Sequence, residues 1–438
     1  MRKSLFVLAL AMGLLAAGLP ATADSLVTYV DPGDAATVSS DNIDYIGTIP
    51  VDQPGVGARL LRVDGQKRLY VTGVKSLTIY EVSDPANPRI LGHLPLPNWE
   101  NEDVSVSGDG DTVLISEFTG TYMPVIDTSN VALPRPVGFL PNEGGHIVSC
   151  VDYRCNWVYG SEGSIIDLRD KTKPTLLAKG WAAQLGLPRN GHNVNVDAAG
   201  IVTTDTTPMA MLDVSSPARP RLITTSDTKD MRDNRTAYQH NNLRPRADRY
   251  RPRTTAKAQA DAKLRDGELV LSNGETNFTG QCEDGSGPFA TYSAKNFERG
   301  RKLAVLDVFR PVSGDYSDGD PAVNALGCSG HWFTERDNRV AAGWYEHGTR
   351  ILKVEPSNGQ ISQLGYFQPV VGSASAAHWI DDEYIYVIDY LRGIDIIRYD
   401  RSKPKPGKQR LDKSWMAKLN VTDPASASER YRCRLVQQ

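Results

Sequence analysis

Short runs of alternating or wholly apolar residues recur along this chain, separated by Gly, Asp, Ser and Pro. The stretch from Gly191 to Thr224 shows the unit. Gly191-His192-Asn193-Val194-Asn195-Val196 is followed by Gly200-Ile201-Val202-Thr203-Thr204 and, past Pro208, by Met211-Leu212-Asp213-Val214. The turn Ser215-Ser216-Pro217 leads to Pro220-Arg221-Leu222-Ile223-Thr224. Period-two alternation among β-branched residues, broken by turn formers, predicts four short antiparallel strands. A sheet this small cannot bury its own apolar face, so copies of it have to pack together.

Copies are present. The first full unit opens at Arg59–Val63 and passes Arg68–Thr72 and Leu77–Val82 to reach Ile90–Leu94. A second runs from Glu102 to Phe139, and a third begins at Gly145 and passes Trp157 and Ile165–Leu168. The fifth opens at Gln239-His240-Asn241, resumes at Glu268–Ser272 and again at Leu303–Val308, with long insertions at 244–266 and 273–301. The sixth runs from Gly330 to Tyr366; the seventh runs from Ala377 to Ile397 and stops one strand short. Its missing strand is the orphan run Ile43–Ile49. Seven units, the last completed by the N-terminus, predict an all-β fold: a seven-bladed β-propeller over residues 42–400, closed by the N-terminal strand. A linear β-solenoid would expose its sheet edges, and would leave both the short last unit and the spare first strand unexplained.

The ends read differently. Arg2 and Lys3 precede an apolar run from Leu5 to Leu19, and Ala21-Thr22-Ala23 fits a small-residue cleavage site, so residues 1–23 read as a signal peptide. Residues 24–41 form an N-terminal segment, and 401–438 a Lys/Arg-rich, Pro-punctuated tail. No later apolar stretch is long enough to span a bilayer. The expectation is export, to the medium or the cell envelope. Export makes the five cysteines candidates for disulfides. Cys150 and Cys155 bracket a tight turn, Cys282 and Cys328 could close the long loop, and Cys433 is left over; soft-metal ligation is the rival use. A formal net charge of −3 over 438 residues argues against a general nucleic-acid binder.

The strand-turn signatures Leu212-Asp213-Val214-Ser215-Ser216-Pro217, Tyr80-Glu81-Val82-Ser83-Asp84-Pro85 and Ile126-Asp127 resemble the LVIVD-repeat family of secreted bacterial propellers. The resemblance covers nearly all of the chain after residue 23. It implies the propeller fold and leaves the chemistry to be read from the site.

Aligned on the first position of the innermost strand, the seven units carry Arg59, Glu102, His146, His192, His240, His331 and His378, so five of the seven histidines share one position. Innermost strands surround a propeller's axis with their starting ends on one face, which predicts a ring at the mouth of the channel. Loops between second and third strands emerge on that face and hold Glu117, Glu162, Asp205, Glu275, Glu346 and Asp389. Neutral imidazoles backed by carboxylates that accept their other N–H suit a transition metal: iron, copper or zinc, not distinguishable here. His146, His192, His240, His331 and His378 are the expected ligands, with an open position for water or substrate. Glu102, Glu275 and Glu346 are the expected catalytic carboxylates, and Arg59, Trp344 and Tyr345 the expected substrate contacts. Two other readings stay open. Gly145-His146, Gly191-His192 and Gly330-His331 resemble the Gly-His pairs of WD-repeat propellers, whose histidine bonds within its blade, although the Trp-Asp partner is absent and Gln239-His240 and Ala377-His378 lack the glycine. The other is a metal-free anion or ligand pocket. Strand alternation could also turn these side chains between the blades.

The insertion 244–266 is basic and falls on the far face, either merely solvated or facing an acidic partner or anionic polymer. The insertion 273–301 falls on the histidine face, as a lid or a decoration. No Gly-rich phosphate loop, nucleophile-elbow serine or zincin motif is present. The expected function is metal-dependent oxidation or hydrolysis of a small extracellular substrate; a non-catalytic binding or scaffolding propeller at the cell surface is the alternative. Four-histidine iron propellers that cleave alkenes and copper-dependent thiol-oxidising propellers resemble this site in architecture only. The expected partner is a small-molecule or extracellular polymer substrate, with no nucleic acid and no membrane span, and the chain is expected to act as a monomer.

Overall fold

Each repeating unit folds as one antiparallel meander. In the fourth, Val194–Val196, Ile201–Thr204, Ala210–Asp213 and Arg221–Thr225 pair in that order. Seven such sheets form the seven blades of a β-propeller. The computed structural model describes residues 37–49, 55–73, 75–97, 101, 103–117, 122–140, 146–161, 163–188, 191–206, 208–227, 239–275, 287–311, 329–369 and 372–404. The expected signal peptide, the Cys282–Cys328 bridge, Cys433 and the tail beyond residue 404 lie outside the described residues. No helix among the described residues is long and apolar enough to cross a membrane.

The turn between the third and fourth strands repeats because its chemistry repeats. Asp127, Asp167 and Asp213 end the third strand of blades two to four, and each accepts the backbone N–H two residues on, at 3.1, 3.0 and 2.9 Å. That is the local bond that makes aspartate a turn former. In blades one, two and four the same carboxylate also reaches an arginine at the start of the fourth strand: Arg89 to Glu81 at 3.4 Å, Arg135 to Asp127 at 2.9 Å, and Arg221 to Asp213. In blade three, Arg169 takes over at 2.6 Å from Asp167. The arginines lie at or near the surface, where such pairs add little, so they shape the turn more than they stabilise the sheet.

Stability comes from the seams. Seven clusters of buried apolar residues each join two neighbouring blades. Tyr70, Leu77 and Ile79 of blade one meet Val113, Ile115 and Ile126 of blade two, and Met209 and Met211 of blade four meet Val270, Ala290 and Tyr292 of blade five. The cluster of Leu69, Val71 and Tyr80 with Tyr386, Ile388 and Ile396 joins blade seven back to blade one, so the ring is closed. Each such side chain contributes about 1.5–3 kcal/mol on full burial.

The closing strand is the expected one. Ile43–Ile49 pairs antiparallel with Gly393–Tyr399, from Ile43 opposite Tyr399 to Ile49 opposite Ile394. The sequence did not reveal that the preceding residues are also paired. Thr37–Ser39 adds a fifth strand to blade six along Ile361–Pro369, and Asn42 Nδ2 donates to the Leu364 carbonyl at 2.8 Å. The N-terminal stretch therefore latches two blades. Blade five also corrects the reading above. Phe289–Ser293, inside the expected loop 273–301, is its third strand, and Ala304–Phe309 is its fourth. The basic insertion is tied to the blades: Arg253 is buried and bonds Glu268 at 2.5 Å, and Arg244 bonds Asp197 of blade four at 2.6 Å.

A buried polar cluster pins the closing strand. Asp389 accepts N–H bonds from Ser373, Leu391 and Arg392 at 2.9, 2.7 and 3.0 Å. Arg392 grips Asp395 through Nε at 2.8 Å and reaches Tyr45 Oη at 3.1 Å and Thr48 Oγ1 at 3.3 Å across the latch. Burial and then the charge of Asp395 push the Asp389 carboxyl up to about 6, against the pull of Arg392 and the N–H donors. The folded protein thus holds this proton to higher pH than the unfolded chain. The associated stability is complete below the ordinary carboxylate range and is lost as pH rises through about 6. Asp389→Asn should flatten that decline in melting temperature between its ordinary 3.8 and about 6. A variant that keeps the wild-type slope would place the proton elsewhere.

Candidate metal centre at the channel mouth

The innermost strands of blades three to six deliver one imidazole each, and the four rings form an arc. Centroids lie 5.2 Å apart for His146–His192, 3.9 Å for His192–His240 and 4.1 Å for His240–His331. Tyr345 continues the arc at 4.8 Å from His331, with Tyr390 6.2 Å beyond it. Trp332 packs against the arc, 4.8 Å from His240 and 5.8 Å from His331. The glycine before His192 lets the backbone of Asp205 and Thr206 approach closely. A Cβ at Gly191 would sit 3.0 Å from the Thr206 nitrogen and 3.1 Å from the Asp205 carbonyl carbon.

The arc passes from blade to blade by hydrogen bonds. His192 Nδ1 donates to the carbonyl of His240 at 3.2 Å, and His331 Nδ1 to the carbonyl of Ser375 at 2.9 Å and its hydroxyl oxygen at 3.0 Å. A carbonyl accepts only a donor, so Nδ1 carries the proton in both rings and Nε2 keeps its lone pair. The partners expected for this task were carboxylates. Backbone carbonyls of the next blade perform it instead, and they fix ring orientation equally well.

His192, His240 and Glu275 each offer one ligand atom, and these atoms lie within 4.8 Å of one another. His240 Nε2 stands 3.8 Å from Glu275 Oε2. Ligand atoms at about 2.1 Å from a tetrahedral ion are about 3.4 Å apart, so small side-chain rotations would close this group on a metal. Glu275 is held on its other side, where Tyr345 Oη donates to Oε1 at 2.5 Å. The residues present fit an imidazole–carboxylate cation site.

Other expected members lie elsewhere. His378 and Arg59 are not in the arc. The inner strands of blades one and seven begin at Gly55 and Ala374, ahead of the apolar runs at Arg59 and Ala377 from which the count was made, so the count misplaces both by three residues. Ser375 and Val56 occupy the arc level, and Ser375 Oγ donates to the Val56 carbonyl. His378 lies one layer deeper, level with Thr334, whose hydroxyl bonds Ala377 O at 2.8 Å and Trp379 N at 3.0 Å. Both His378 ring nitrogens are buried with no hydrogen-bond partner among the described residues. Burial, then the charge of Arg59, depresses His378 to about 3. Trp344, expected at the substrate, is fully buried and packs edge-on against Phe309 at 5.9 Å.

Of the expected carboxylates among the described residues, Glu275 joins histidines in a ligand group. Asp205 is buried between blades, where it accepts from Asn242 Nδ2 at 2.8 Å and desolvation raises its carboxyl well above the usual range. Asp389 serves the latch. Glu346 stands in the turn after Tyr345, with its carbonyl accepting from Gln368 Nε2 at 3.0 Å, and does not join the His192–His240–Glu275 group. Glu102 and Glu162 lie outside the described residues. Sequence reading missed Ser375 and Trp332. The first lies in the small-residue start of the blade-seven inner strand, which carries no strand signal, whereas Trp332 directly follows His331 in the sequence.

The Cys150–Cys155 disulfide is present, with Cα atoms 4.8 Å apart. No family model matches the chain, and no curated protein sequence matches it. Among solved structures it is similar to the β-propeller domain of Myceliophteria thermophila Cps50 (Swd1), over 81% of this chain and 99% of that one, at 12% identity and a TM-score of 0.51. It also aligns with Kuenenia stuttgartiensis hydrazine synthase over 80% of this chain and 97% of that one, at 12% identity and a TM-score of 0.47. The first likeness shows the fold and nothing finer, and the LVIVD resemblance stands on its repeat residues.

The depressed His378 yields a pH signature opposite to that of Asp389. Its contribution is present above the ordinary imidazole value and is lost as pH falls toward about 3, because only the unfolded chain takes up the proton. His378→Leu should therefore reduce acid destabilisation below pH 6.5, read by urea titration at several pH values, and leave metal binding unchanged. Loss of metal from this variant would return His378 to the site.

Proposed function

We propose that this propeller binds a transition-metal ion through His192, His240 and Glu275 at the mouth of its channel, and uses it for oxidation or hydrolysis of a small extracellular substrate. The convergence of three ligand-type side chains from adjacent blades, beside two further imidazoles, carries the reading. A cation bound there supplies Lewis acidity, or electron transfer if it is redox-active. The chain supplies the rest. Carbonyls of blades five and seven hold the tautomers of His192 and His331, Trp332 excludes water from one side of the arc, and Tyr345 orients Glu275. The disulfide and the repeat signature support an exported protein of the LVIVD kind.

One observation favours a second reading. His192 and His331 stitch neighbouring blades in the same way as Ser375, so the histidines could serve a non-catalytic binding or scaffolding propeller. Elemental analysis of protein purified without chelator separates the two. Stoichiometric transition metal that disappears in His240→Ala, with the melting temperature largely kept, is the expected result. Metal-free wild-type protein with a specific polymer or protein ligand would decide for the scaffold.

A further inference from the structure

Tyr345 occupies a backbone state that bulky residues rarely adopt, with φ at +44°. Such a conformation persists only where the surroundings hold it, and here they do. Its N–H donates to Ala374 O at 3.0 Å and its carbonyl accepts from Ala374 N at 2.9 Å, an antiparallel bridge from blade six to blade seven. The ring is buried and lies at 33° to His331, 4.8 Å away. From there the side chain crosses toward blade five and places its hydroxyl on Glu275 Oε1. A phenylalanine would fill the stack equally well. The hydroxyl has its own work, on a carboxylate whose other oxygen faces His240 Nε2.

We infer that Tyr345 is the positioning residue that makes Glu275 a one-oxygen ligand: its phenol occupies Oε1 and leaves only Oε2 for the cation. This rests on the metal reading above. A carboxylate held in this way suits a compact four-coordinate ion and keeps a position open for substrate, whereas calcium favours more oxygens and often a bidentate carboxylate. The site is thus selective for a first-row transition ion with His/Glu ligation, and the phenol contributes to that selectivity.

The test uses the full-length protein, wild type and Tyr345→Phe, titrated with Zn²⁺, Co²⁺ and Ca²⁺. Loss of the hydroxyl should weaken Zn²⁺ binding about 10- to 100-fold, the usual effect of removing a group that orients a ligand. It should also shift the visible Co²⁺ spectrum toward higher coordination and narrow the preference over Ca²⁺, at an unchanged melting temperature. A Tyr345→Phe protein with the wild-type Co²⁺ spectrum and Zn²⁺ affinity overturns the inference and leaves the metal site standing. Wild-type protein that takes up none of the transition ions overturns both. A double-mutant cycle with Glu275→Gln guards against a folding effect. Losses that coincide support action through Glu275, and losses that simply add overturn it.

Discussion

Ring closure is the constraint on which everything else depends. No blade buries its own faces, and each seam is built from two sheets, so the apolar clusters are complete only when Ile43–Ile49 lies against Gly393–Tyr399. The closed ring brings the starting ends of the innermost strands around one axis. The histidine arc is a product of that geometry, because its residues come from four blades and meet nowhere else. The polar cluster of Asp389, Arg392, Asp395, Tyr45 and Thr48 sits on the closing pair itself.

Most of the fold was legible because propeller physics writes itself repeatedly into sequence. Period-two strands and Asp-led turns recur in phase, and a unit lacking one strand is balanced by a spare one at the start. Two features escaped. Thr37–Ser39 is too short a run to announce pairing, and Phe289–Ser293 hides between polar stretches in a segment that reads as loop. Both are strands by tertiary context, since the edge of blade six and the ladder of blade five supply partners that no local pattern shows.

The candidate site was legible in part, and the boundary follows from where each inner strand begins. His146, His192, His240 and His331 were found by counting from the strand start, since their units keep the level of the arc. Ser375 and Val56 hold that level in blades seven and one because those inner strands begin at Ala374 and Gly55, in small-residue stretches that do not read as strand. Carboxylates were over-assigned for a different reason. A strand end can face the channel or the neighbouring blade, and Asp205 and Asp389 face protein. Tyr345 was placed near the ligand from its loop position, but its bond to Glu275 joins residues 70 apart in sequence.

The double latch has a temporal meaning. Arg398 and Asp44, paired across the seal, stand 354 positions apart, so a strand synthesised early must wait for one synthesised late. Contacts of such long range form slowly, because the entropy of bringing distant segments together is lost before their pairing compensates it. Until then the outer edge of Gly393–Tyr399 is an open template for any passing β-strand, its own N-terminus or another molecule's. A nascent chain of this design has a long window of vulnerability to misassembly, and the short segment at Thr37–Ser39 gives the returning N-terminus a second foothold with which to end it.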